Sequence, residues 1–295
     1  MNNTTSISQT YTLGEDLTVN RLGYGAMRLS GQPGNFGAYP EWEQGEKLLQ
    51  RAIELGVNFI DTAEAYGSGF NEGIITSALH PYPEDLVIAT KGGINKSAPD
   101  SIKADASPEF LRSGVEGSLQ RLKLEQIDLY QLHRPDPKVP FPESIGALKE
   151  LKDEGKIRHL GLCNVSVEQI EQARKIVPIV SVQNKFSIRD RTHQPVLDYC
   201  SENNLAFIPY GSLGAHPLKR GAPLATAAGI LAQIANKKRA KPNQIALAWL
   251  LHIAPNIILI PGTTTIAHLE ENIAAAKIEL TPKEIEALDR STIDD

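Results

Sequence analysis

Ile127-Asp128-Leu129-Tyr130-Gln131-Leu132-His133 and, further on, Ile157-Arg158-His159-Leu160-Gly161-Leu162-Cys163-Asn164 are two short, mostly apolar runs, each ending in a polar residue. Between them Ile145, Leu148 and Leu151 recur at helical spacing, and Gly155 stands where such a helix ends. Strand, helix and strand in this order read as a parallel pair with its faces covered. Working outward, residues 22–25, 57–61, 86–91, 180–185, 206–210 and 257–261 read as further buried strands of the same kind. Helical patterns lie between them. Leu111, Val115, Leu119 and Leu122 share one face. Ser107-Pro108 has the form of an N-cap followed by proline at the first helical position. Ser166-Val167-Glu168-Gln169 and Thr281-Pro282-Lys283-Glu284 have the form of capping boxes.

Eight strand-plus-helix units without a linker indicate a closed (β/α)8 TIM barrel, with residues 1–295 as one domain. An open doubly wound sheet is the competing α/β architecture, but no G-x-G-x-x-G stands at a strand-to-helix turn. Residues 11–13 and 17–19 flank Gly14-Glu15-Asp16 and read as an N-terminal β-hairpin capping the barrel bottom. With 295 residues and 41% hydrophobic content, the chain can bury a large core. A net charge of −5 gives no surplus for phosphate backbones or anionic membranes. Two cysteines, Cys163 and Cys200, suggest a reducing compartment without a disulfide framework. Residues 1–10 are polar and carry no apolar signal core, so a cytoplasmic protein is expected, by default a monomer.

Active sites of such barrels are built at the C-terminal ends of the strands. Asp61, Lys91 and His133 end the second, third and fourth runs, and Asn164, Gln183 and Tyr210 end or lie in the next three. Buried charges are costly unless paired, so Asp61 and Lys91 should pair. Tyr66 follows Asp61 closely enough to return a phenol over the barrel mouth. A lysine ammonium nearby is expected to lower that phenol's pKa and tune it as a proton donor. Each residue alone has a plainer reading: a cap for Asp61, a snorkelling strand-end lysine for Lys91, a loop imidazole for His133, a packing ring for Tyr66. Their succession at neighbouring strand ends favours a site. His80, His159, His193, His216 and His252 show no metal-ligand spacing, and Cys200 falls in a helical pattern as a small buried hydrophobe.

Residues 56–67 (Gly-Val-Asn-Phe-Ile-Asp-Thr-Ala-Glu-Ala-Tyr-Gly), Ala89-Thr90-Lys91 and Asp128 to His133 resemble the aldo-keto reductase family in order and spacing, over nearly the whole chain. The details are most similar to a short-tailed bacterial branch that includes pyridoxal-reductase-like enzymes and channel β subunits. The resemblance implies a catalytic tetrad of Asp61, Tyr66, Lys91 and His133. Tyr66 would protonate the carbonyl oxygen as hydride leaves the nicotinamide, and His133 would orient that oxygen. It further implies cofactor contacts from Gly25, Ala26 and Met27, from Asp61, from Asn164 and Gln183 to the carboxamide, and from Tyr210 stacking on the ring. Ser212 and Leu213 would lie near the pyrophosphate. Gly262, Thr263, Thr264, His268, Glu271 and Asn272 would hold the adenosine phosphate at a helix start, a natural anion site. Gly262 and His268 stand where many members carry lysine and arginine. NADP(H) is therefore expected, with NAD(H) also possible. Cys163 replaces a common serine, and a small side chain suffices there.

Asn164 and Gln183 can also be read as amides satisfying backbone groups, and His268 as a solvated helix residue. Arg134 can recognise an anionic substituent or face solvent. The implied substrate is a small-molecule aldehyde or ketone, pyridoxal among them, in an open pocket. Residues 30–41, 134–141 and 214–224 are the specificity loops. Two other functions compete. One is a cofactor-binding regulatory subunit with vestigial reductase activity. The other is a Schiff-base aldolase on Lys91, which needs a neutral amine that Asp61 would disfavour.

Overall fold

The computed structural model describes residues 9–214 and 229–290. The chain enters through an antiparallel hairpin, β1 (Thr10–Leu13) and β2 (Leu17–Asn20), turning at Gly14 with φ +60°. Strands and helices then alternate: β3 (Tyr24–Gly25), α1 (Trp42–Glu54), β4 (Phe59–Asp61), α2 (Phe70–Leu79) and β5 (Val87–Gly92). A second hairpin, β6 (Ile94–Ala98) and β7 (Ser101–Ala104), follows β5. The alternation resumes with α3 (Pro108–Leu122), β8 (Ile127–Leu132), α4 (Phe141–Asp153), β9 (Ile157–Cys163), α5 (Val167–Arg174), β10 (Ile179–Gln183), α6 (Gln194–Glu202) and β11 (Ala206–Phe207). Four helices close the described chain: α7 (Gly229–Lys238), α8 (Pro242–Ile253), α9 (Ile266–Ala274) and α10 (Pro282–Arg290).

Seven strands form one parallel sheet in the order β11-β10-β9-β8-β5-β4-β3. The expected eighth strand, residues 257–261, makes single bridges on both sides, Phe207 to Ile257 and Leu22 to Leu259. It joins the two sheet edges and closes the ring, but it is too short to build a ladder, and Pro261 has no N–H to extend one. The first and seventh strands are likewise shorter than their apolar runs. Arg21 reinforces the closure. Its buried guanidinium donates to the carbonyls of Ile257 at 2.9 Å, Leu251 at 2.9 Å and Ala254 at 2.5 Å, capping α8 against the seam. Burial lowers its pKa to about 10, so it stays charged at neutral pH.

The hairpin plugs the bottom as expected. Leu13, Leu17 and Val19 pack inside the ring on Phe59, Val87, Ala89, Leu129 and Ile258. Outside the ring, α3 turns Leu111, Val115 and Leu122 inward, and α4 turns Ile145, Leu148 and Leu151 inward. Gly155 follows α4 with φ +79°, the left-handed conformation that ends a helix. The Ser166 box at α5 forms both of its bonds, and Thr281 and Glu284 exchange equivalent bonds at α10. Ser107 does stand at the N-cap of α3, yet its hydroxyl donates to Asp105 Oδ1 at 2.8 Å instead of capping. Cys200 is fully buried on α6. No helix among the described residues is long and apolar enough to cross a membrane.

Candidate active site

Side chains two apart on a strand share a face. Phe59, Ala89 and Leu129 belong to the apolar plug inside the ring, so Asp61, Lys91 and Gln131 point inward one layer higher, toward the mouth. The register sets Lys91 beside Gln131. Lys91 is fully buried and donates to Asp61 Oδ1 at 2.5 Å and to the Thr62 carbonyl at 2.8 Å. The other Asp61 oxygen accepts from Gln183 Nε2 at 2.8 Å and Gln131 Nε2 at 3.3 Å. The pair is therefore both neutralised and hydrogen-bonded, the condition for burying two charges. Burial alone would lower the Lys91 pKa, but Asp61, with Tyr66 and Cys163, outweighs it and holds the ammonium above its ordinary range.

Tyr66 opens a 3-10 turn, Tyr66–Gly69, whose backbone is pinned on several sides. Glu64 N donates to the Lys91 carbonyl at 3.1 Å and Gly67 N to that of Asn35 at 2.9 Å. Asn71 ties the loop down further, accepting from Thr62 Oγ1 at 2.7 Å and donating to the carbonyls of Ala26 and Leu29 at 2.8 and 2.7 Å. Gly67 has φ +61°, and a Cβ there would come within 2.6 Å of the Gly37 carbonyl, so the turn requires glycine. The phenol consequently stands 3.5 Å from Lys91 Nζ and edge-on to His133, with ring centroids 5.7 Å apart.

The expected lowering of the Tyr66 pKa is not what the site produces. Burial dominates and, with Asp61, pushes the phenol up to about 12 against the opposing pull of Lys91. Tyr66 thus stays protonated at neutral pH, as a donor must. His133 goes the other way. Burial, then Lys91, Arg134 and Lys96, drive its pKa well below the ordinary value, so the imidazole is neutral. Its Nδ1 is buried without a hydrogen-bond partner among the described residues.

The next strand ends supply amides. Asn164, at φ +57°, donates through Nδ2 to the His133 carbonyl at 3.0 Å and accepts from Tyr210 OH at 2.8 Å. Asn164 thus satisfies a backbone carbonyl, whereas Gln183 serves the Asp61 carboxylate, and both line a cleft of about 1210 Å³ at the barrel mouth. That cleft runs from Tyr66 and His133, past Tyr210, Ser212 and Leu213, to Gly262, Thr263, Thr264, His268, Glu271 and Asn272. Gly25, Met27 and Asp61 line it as well. Ala26, between Gly25 and Met27, is fully buried and is not among the residues lining the cleft; its carbonyl accepts from Asn71. Lys91 lies behind Asp61 and Tyr66, off the cleft surface.

The cleft also gathers residues that sequence reasoning missed: Arg28, Lys96, Gly211, Lys241 and Asn243. Arg28 follows Met27 directly and was within reach of sequence reading. Lys241 was not. It precedes α8, whose start meets α9 through a Lys241–Glu271 ion pair and a 2.9 Å bond from Gln244 Nε2 to the Glu271 carbonyl. Of the expected specificity loops, 30–41 contributes Asn35 and 134–141 contributes Arg134, while 215–224 lies outside the described residues. Amides near the phenol and a hydroxyl-rich turn before α9 suit a ligand carrying a carboxamide at one end and phosphate at the other.

Comparison with known proteins accords with this geometry. The model of the Aldo/keto reductase family matches residues 21–293. An uncharacterized oxidoreductase of Schizosaccharomyces pombe is 42% identical, over 93% of this chain and 87% of that protein. Pyridoxine 4-dehydrogenase of Escherichia coli is 40% identical, over 96% of this chain and 98% of that protein. A Klebsiella pneumoniae aldo/keto reductase, solved in complex with NADP and acetate, superposes with a TM-score of 0.79 at 26% identity, covering 97% of this chain and 96% of that one. The chain belongs to the aldo/keto reductase family of nicotinamide-dependent oxidoreductases.

Proposed function

We propose that the chain is a single-domain, NADP(H)-dependent reductase of aldehydes and ketones, acting reversibly, with Tyr66 as general acid. The observation that carries this is the contact set in which Asp61, Tyr66 and His133 line one cleft and Lys91, directly behind them, touches Asp61 and Tyr66. A nicotinamide held by Asn164, Gln183 and Tyr210 would supply the hydride for carbonyl reduction. The chain's part is to place the carbonyl and deliver a proton. Tyr66 OH gives its proton to the oxygen as negative charge builds there. The fixed charge of Lys91 stabilises the phenolate left behind, and Asp61 holds Lys91 in place. His133, neutral, can donate one N–H to the same oxygen. In alcohol oxidation the same groups run in reverse.

Asn164, Gln183 and Tyr210 suit the nicotinamide end, and Thr263, Thr264 and the start of α9 suit the phosphate end. Arg28 brings a cationic side chain to a cleft where Gly262 supplies none, which supports preference for the phosphorylated cofactor. A lysine held charged by Asp61 speaks against Schiff-base chemistry. The likeness to pyridoxine 4-dehydrogenase makes pyridoxal a substrate to try. Incubation with 4-deuterated NADPH and 4-nitrobenzaldehyde tests the reading. Deuterium on the alcohol carbon is expected. Cofactor binding without label transfer to either aldehyde would replace this reading with that of a binding subunit.

A further inference from the structure

The cleft is not electrically balanced. Its acidic lining residues are Asp61 and Glu271, and both are committed: Asp61 to Lys91, Glu271 to Lys241. Two cations lining the same cleft, Lys96 and Arg134, form no ion pair among the described residues. This occurs in a chain whose net charge is −5. Cations left without counter-ions in a concave site raise the local concentration of anions.

Topology says where in the cleft they act. Around the ring the positions run β3, β4, β5, β8, β9, β10, β11 and then residues 257–259. Lys96 is on β6, directly after β5, and Arg134 follows His133 at the end of β8. The hydroxyl turn and α9, which suit the cofactor's phosphate, follow residues 257–259 on the far side of the ring. Lys96 and Arg134 both line the cleft together with Tyr66 and His133, on the segments that continue the third and fourth strands of the ring, which places them at the reactive end. Lys96 is held there by the β6–β7 hairpin and by the carbonyls of Gly34 and Asn35, both of which accept from its Nζ. An ammonium has three N–H groups, so one remains. Arg134 is exposed, and its planar fork is suited to an oxyanion. Ile94 and Ile102 supply apolar wall beside Lys96.

We propose that the substrate is a carbonyl compound bearing an anionic group, a carboxylate or a phosphate, which Arg134 and Lys96 hold beside Tyr66 and His133. This rests on the reductase reading above and specifies its substrate class. The anion anchors the molecule through a part that does not react, and this orients the carbonyl toward the phenol. The apolar wall accepts the carbon frame between the two ends.

Two substrate pairs decide the matter and separate the two anion sources: 4-carboxybenzaldehyde against 4-methylbenzaldehyde, and glyceraldehyde 3-phosphate against glyceraldehyde. The wild-type chain with NADPH should favour the anionic member of at least one pair by tenfold or more in kcat/KM. Added salt should erode that preference. Arg134→Ala should cut the anionic-to-neutral ratio at least tenfold, mainly through KM, and Arg134→Glu should cut it further. Equal kcat/KM values within both pairs, or a ratio indifferent to Arg134, would overturn the proposal. Calorimetric titration with 4-methylbenzoate separates this from failure of the reductase reading. Salt-sensitive binding that Arg134→Glu abolishes, with no aldehyde turned over, would sustain the anion site and remove the reductase. Turnover of neutral aldehydes without anion preference would do the opposite.

Discussion

At the residue scale, everything turns on how a lysine is kept charged inside a barrel. Lys91 is enclosed, and Asp61, the Thr62 carbonyl and the Tyr66 phenol receive its protons. Lys91→Met would strand the Asp61 carboxylate in the core and should cost about 3–5 kcal/mol, read by thermal or urea unfolding. Adding Asp61→Asn removes the stranded charge, so the double variant should recover part of that loss. Additive losses would mean that the two residues do not act as a pair. The same geometry fixes protonation states. Tyr66 is pushed up to about 12 and His133 well below its ordinary value. Neither titrates near neutrality, so the reduction rate should stay level from about pH 6 to about pH 9. A break in that interval that moves in Tyr66 or His133 variants would contradict the assignment. Asp61, Lys91 and His133 were legible in the sequence because each is the polar end of an apolar run, and Tyr66 because it follows Asp61 closely. The direction of the Tyr66 shift was not, because a sequence shows the neighbouring cation but not how strongly burial opposes it. Gln131 went unnoticed for a related reason: an amide inside a strand signals nothing until its partner, the second Asp61 oxygen, is known.

At the scale of elements, the helices were easier to read than the strands. Capping chemistry is local, and the boxes at α5 and α10 formed where the residues stand. Strand ends depend on partners across the ring, so the run at 257–261 reads as a full strand yet only bridges its neighbours. Glu284 gives an element-scale test. Burial would raise its pKa, but Lys237 at 2.8 Å, the Thr281 N–H and Lys238 hold it down to about 2. A depressed carboxylate contributes stability above its unfolded value of 4.5 and loses it as pH falls from there toward about 2. Acid should therefore loosen α10 in that window, followed by hydrogen exchange of its amides. Glu284→Gln should be weaker at neutral pH and should lack that acid-dependent step. An unchanged acid profile in the variant would show that other carboxylates set it.

At the scale of the molecule, the apolar plug below and the polar layer above are consequences of one alternation carried by every strand of a closed ring. Closure is therefore a condition for the site, and Arg21 holds the seam through the three carbonyls it caps. Arg21→Met should destabilise the fold by about 3 kcal/mol, since it leaves those carbonyls buried without donors. A midpoint unchanged in urea would show that the seam holds without it. The cleft's far wall was the least legible part of the site. Lys241 and Asn243 reach it only because α8 and α9 pack together, a contact made across the tertiary structure. The central claim is that Tyr66 supplies the proton for carbonyl reduction. Its most direct test is NADPH oxidation by 4-nitrobenzaldehyde or pyridoxal with wild type and Tyr66→Phe side by side, with cofactor binding followed by fluorescence in both. The account predicts turnover in the wild type and a loss of about a thousandfold or more in the variant with NADPH affinity retained. A variant that reduces the aldehyde as fast as wild type would contradict it.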